Sequence, residues 1–63
     1  MKKEIDMNGD RYIVEELADG RRVVSRNGEV LAGEDFEGEV LLVLAEYDRG
    51  RGTAVTNDAQ SPT

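Results

Sequence analysis

Residues 5–30 read IDMNGDRYIVEELADGRRVVSRNGEV, and three dipeptides within them decide the fold: Asn8-Gly9, Asp19-Gly20 and Asn27-Gly28. Asn-Gly and Asp-Gly supply the two positive φ values of a type I′ turn, whose twist matches that of paired strands. Beside these turns lie segments rich in strand formers: Ile5 to Met7, Arg11 to Leu17, Arg21 to Arg26 and Glu29 to Ala32. This rhythm predicts an antiparallel meander of short hairpins. Tyr12 and Val14 share one side of their strand, while Ile13 and Leu17 share the other. Apolar residues on both sides fit a small closed barrel, or a strand covered by a partner subunit.

Downstream, Gly33-Glu34-Asp35-Phe36-Glu37-Gly38 reads as an acidic loop. The segment 39–47 that follows is the most apolar of the chain. Val40, Val43 and the unbroken run Val40 to Ala45 favour a strand. Its Leu, Ala and Glu content, with Gly50 as a stop, keeps a helix open as the alternative. From Arg49 the chain turns polar. The expected organisation is one small β domain over 1–48 and a flexible tail over 49–63, with a possible short edge strand at 53–56 and disorder from 57 onward. The expected fold class is all-β, a small antiparallel meander or barrel-like sheet of four to five strands with a disordered carboxyl-terminal tail.

The 63 residues include 14 acidic and 8 basic side chains, for a net charge of −6, and neither cysteine nor histidine. That excludes disulfides and cysteine-bound zinc, the usual supports of a small fold. The tail set aside, about 50 residues must offset a conformational entropy cost of roughly 1–2 kcal/mol each. A few aliphatic side chains, at about 1.5–3 kcal/mol apiece, barely do so. A homodimer or higher oligomer, or folding supported by a partner, follows from size alone. Glu4 and Asp6 interrupt any signal-peptide pattern after Lys2-Lys3, and no apolar run approaches the roughly 20 residues of a membrane span. The chain is thus expected in the cytoplasm, away from membranes. Its charge repels bulk nucleic acid and attracts basic protein surfaces.

Catalytic chemistry has little material. Ser25 and Ser61 are the only serines, and no imidazole or thiol can activate or replace them. Carboxylates alone would need a cleft that so short a chain has little room to build. The expectation is a protein that is not an enzyme and holds no cofactor. Asp6, Asn8 and Asp10 have the spacing that opens a calcium loop, but Arg11 stands where the turn glycine belongs and Leu17 where the bidentate glutamate belongs. No metal is expected.

Two patterns bear on binding. Asn27-Gly28, four residues and then Gly33, with Arg51-Gly52-Thr53-Ala54-Val55 further on, resembles the two motifs of the Sm-like family. That resemblance covers about 30 residues and implies a ring of small barrels that binds RNA, here through Arg21, Arg22, Arg26 and the tail arginines. The other pattern is acidic. Glu34, Asp35, Glu37 and Glu39 surround the single phenylalanine, Phe36, and Glu15, Glu16, Asp19, Glu46 and Asp48 can extend the same surface. An exposed Phe36 in a collar of carboxylates suits a basic, partly apolar protein partner. The leading expectation is therefore a regulatory or inhibitory protein-binding module whose acidic surface docks on a basic partner, mimicking nucleic-acid charge. The alternatives are the Sm-like RNA binder and a purely structural small subunit.

Overall fold

The computed structural model describes residues 1–55. Five strands form one antiparallel sheet: β1 (Lys2–Met7), β2 (Asp10–Glu16), β3 (Arg22–Arg26), β4 (Glu29–Val30) and β5 (Thr53–Ala54). Between β4 and β5 lie a single 3₁₀ turn (Glu34–Phe36) and one helix, α1 (Glu37–Asp48). The strand order is β4-β3-β2-β1-β5: an open meander whose free edge at β1 is completed by the chain's return as β5. The tail expectation from residue 57 onward lies outside the described residues.

The turns explain the register. Asn8 and Gly9 (φ 55° and 83°) and Asn27 and Gly28 (φ 51° and 91°) all adopt the left-handed backbone that two-residue hairpins need. At the middle turn only Gly20 does, at φ 93°. There Gly20 N–H donates to the Leu17 carbonyl and Leu17 N–H to the Arg21 carbonyl, making a longer connection than the type I′ turn expected. The Asp19 carboxylate stabilises it by accepting from the Arg21 backbone N–H at 3.0 Å.

Alternation along the paired strands sorts side chains onto two faces. Ile5 lies opposite Tyr12, and Val14 opposite Val24, on the side that α1 covers. With Leu31 and Val43 these make the core; Met7, Phe36, Val40, Leu44 and Tyr47 pack around it. Glu4, Ile13, Ser25 and Val30 follow one another across the opposite face. α1 covers one face of the sheet, and Ile13 of β2 stays half-buried on the other.

The strand favoured for 39–47 is a helix. Its end shows why: Gly50 at φ 79° donates to the Tyr47 carbonyl while Arg51 N–H reaches back to the Glu46 carbonyl at 3.1 Å. That pair of bonds is a Schellman stop, which satisfies carbonyls that would otherwise be orphaned. Glu37 and Glu39 in the first turn suit the positive end of the helix dipole. Inward residues Phe36, Val40, Val43, Leu44 and Tyr47 recur at helical spacing, and this tertiary contact decides between two locally plausible conformations. Among the described residues no helix is long and apolar enough to cross a membrane.

Candidate functional site

A trio of side chains fastens α1 to the sheet. Glu39 points inward and accepts a hydrogen bond from the Tyr12 hydroxyl at 2.5 Å and from Arg26 Nη1 at 2.7 and 2.9 Å. The Tyr12 hydroxyl, followed by the Arg26 guanidinium, holds the Glu39 carboxyl below the usual carboxylate range, against an opposing effect of desolvation. The same bond, with burial, pushes the Tyr12 phenol up. Nearby, Tyr47 donates to Glu16 at 3.0 Å and lies under both Lys3 and Arg22. The Tyr47 phenol is likewise raised, first by the Glu16 bond. The Glu39 contacts position the start of α1 and the residues that precede it, and those of Tyr47 hold its last turn over the sheet.

What they position is the acidic turn. Glu34, Asp35 and Glu37 are exposed, and none of the three is in an ion pair among the described residues. A shallow groove lined by Leu31, Gly33, Glu34, Glu37 and Val40 runs beside them. Gly33 enters the turn at φ 99°, a conformation that suits glycine.

The expected contact residues are thus divided. Glu34, Asp35 and Glu37 come together at the surface. Phe36 is half-buried and packs on the core, so the collar does not surround a free aromatic. Glu39 and Glu16 are engaged by tyrosines, and Asp19 by Arg21. Glu15 pairs with Lys2 and Val23 in the ladder, on the sheet face away from α1. Apolar residues missing from the expectation sit next to the acidic turn. Leu41 and Leu42, on the outward side of α1, are 61 % and 62 % exposed. Their signal was the spacing Gly38, Leu41, Leu42, Ala45, a second helical stripe opposite the inward one.

The cations are distributed differently. All six arginines form ion pairs within the chain: Arg11 with Glu4, Arg21 with Asp19, Arg22 with Asp48, Arg26 with Glu39, and both Arg49 and Arg51 with Glu46. Arg21, Arg22 and Arg26, the expected RNA contacts, would each have to exchange a carboxylate for a phosphate. Comparison with protein-family models, with curated proteins and with solved structures finds no match to this chain.

Proposed function

We propose that this chain is a cytoplasmic, non-enzymatic interaction module, self-associating and regulatory or inhibitory in effect. Its acidic surface docks on a basic partner protein at a place otherwise open to nucleic acid. The observation that carries this reading is the asymmetry of charge satisfaction. Every arginine is matched internally, whereas among the described residues Glu34, Asp35 and Glu37 face water together without an ion-pair partner. A partner therefore meets an almost purely negative field at the head of α1, which steers encounter with a basic surface. The neighbouring groove supplies apolar contact where charge alone would give little affinity. The small core supports the self-associating part of the reading: among the described residues six buried side chains are slight for one free-standing domain.

The test uses host extract passed over the immobilised chain at low salt. Retention of a nucleic-acid-binding protein is expected. Changing Glu34, Asp35 and Glu37 together to Lys should slow its association by roughly tenfold or more, and added salt should do the same. The Gln/Asn/Gln version, checked by circular dichroism, separates lost charge from a lost fold. Association that ignores both changes, or salt-sensitive retention of mixed oligonucleotides by the wild-type chain, overturns the proposal.

A further inference from the structure

We infer that Asn8 is a site of spontaneous covalent modification, where the side-chain amide is converted to a carboxyl by cyclisation onto the Gly9 nitrogen. Asn27, in a turn of the same kind, is guarded against that reaction. The described residues hold three steps at which such a ring can close: Asn8-Gly9, Asp19-Gly20 and Asn27-Gly28. In each the glycine has no side chain to hinder its nitrogen, and nothing lies within 4 Å of the place a Cβ would take.

The step needs only water. The Gly9 N–H gives its proton to hydroxide, and the nitrogen attacks Asn8 Cγ. A C–N bond forms, the bond from Cγ to Nδ2 breaks, and ammonia leaves with a proton drawn from water. Water then opens the five-membered imide at either carbonyl, which yields aspartate or its isoaspartyl isomer at position 8.

Water access, a free nitrogen and a side chain free to turn onto it decide which step reacts. Asn8 and Asn27 meet the first two alike. Both are exposed, and their turns share nearly the same backbone, with φ 55° and 83° against 51° and 91°. Neither Gly9 nor Gly28 donates a backbone hydrogen bond among the described residues. The side chains differ. The Asn27 carboxamide is tied at both ends: Oδ1 accepts from the Arg11 backbone N–H, and Nδ2 donates to Asp10 Oδ1, each at 3.0 Å. Swinging its Cγ toward Gly28 breaks both bonds. Asp19 is tied as well, accepting from the backbone N–H and Nε of Arg21 at 3.0 and 2.8 Å. Asn8 makes no side-chain hydrogen bond among the described residues.

The products alter charge and backbone. Either one takes the net charge of −6 a unit further negative. Aspartate tolerates the left-handed conformation of the turn. The isoaspartyl form routes the main chain through the side-chain methylene, which lengthens a two-residue connection and disturbs the Met7–Asp10 pair that closes it.

The full chain, aged at mildly alkaline pH, is followed by peptide mapping for the mass gain of an amide-to-acid exchange. Asn8 should convert roughly tenfold or more faster than Asn27, the factor set by two side-chain hydrogen bonds that must open first. In guanidinium chloride, where neither amide is tied, the two rates should converge. Asp10→Ala, with an unchanged far-ultraviolet spectrum, releases Asn27 Nδ2 and should speed conversion at Asn27. A folded chain that keeps Asn8 intact overturns the site. Equal rates in the folded chain, an Asn8 lead undiminished in denaturant, or an Asn27 rate indifferent to Asp10→Ala overturns the guarding role of the two bonds.

Discussion

Neighbouring residues of the apolar run should respond to truncation in opposite ways, and the contrast tests the placement of α1. Val43 is fully buried, whereas Leu42 beside it is 62 % exposed. Val43→Ala removes two methyl groups from the core, at about 0.8 kcal/mol each. The space left behind adds about 1 kcal/mol where the surroundings cannot collapse, and alanine's better helix propensity returns about 0.5 kcal/mol. The expected cost is about 2 kcal/mol, a large share of what a domain this small can hold. Leu42→Ala, with no cavity to open, should stay within about 0.5 kcal/mol in the dilute monomer. Urea unfolding at one low protein concentration measures both. For a slope of about 1 kcal/mol/M, Val43→Ala should move the midpoint by roughly 2 M with the slope unchanged. Equal losses at the two positions in dilute solution would refute the reasoning, because they would mean that Leu42 is as buried as Val43.

Acid should loosen the helix from the sheet through Glu39. Its carboxyl is held below the ordinary range in the fold, so its contribution is present above the unfolded value and is lost as pH falls through the lower folded one. A melting series from neutral to acid pH should show Glu39→Gln less stable than wild type at neutrality but flatter on the acid side. Two glycines should behave oppositely on conversion to alanine. Gly38→Ala meets open space in the first turns of α1 and should stabilise by about 0.5–1 kcal/mol. Gly52→Ala would put a Cβ 2.9 Å from Lys3 Cβ, so it should detach β5 and expose to exchange the Val55 amide, which now donates to the Lys2 carbonyl.

The hairpins were legible because their signal is local. Asn8-Gly9 and Asn27-Gly28 need no distant partner to adopt left-handed backbone, and once they do, β1 is in register with β2 and β3 with β4. The Asp19-Gly20 connection was legible only as a turn. Its type depends on the Asp19 side chain, which caps Arg21 and leaves a single residue at positive φ. The acidic site was half legible for a similar reason. Composition puts carboxylates at 34, 35, 37 and 39 without distinguishing them, and what separates Glu39 from the others is Tyr12, 27 residues away. Phe36 could not be placed without knowing that the chain turns back over the sheet, since its burial comes from contact with strands remote in sequence.

The apolar run was the hardest stretch to read, and the cause is physical. Periodicity identifies a helix when one side is polar, but α1 has Val40, Val43 and Leu44 on one side and Leu41, Leu42 and Ala45 on the other. With both sides apolar, the 3.6-residue signal cancels and the run looks like a buried strand. Strand alternation would have set Leu42 and Leu44 against Leu41 and Val43, two equally apolar faces, so pattern offered no choice. What broke the tie was the packing of Val40, Val43, Leu44 and Tyr47 on the sheet, with Gly50 closing a Schellman stop at the far end. The property that obscured the helix is therefore the one that leaves leucines at its surface. Charge at positions 41 and 42 would have made the helix easy to recognise, because it would have given α1 one polar side.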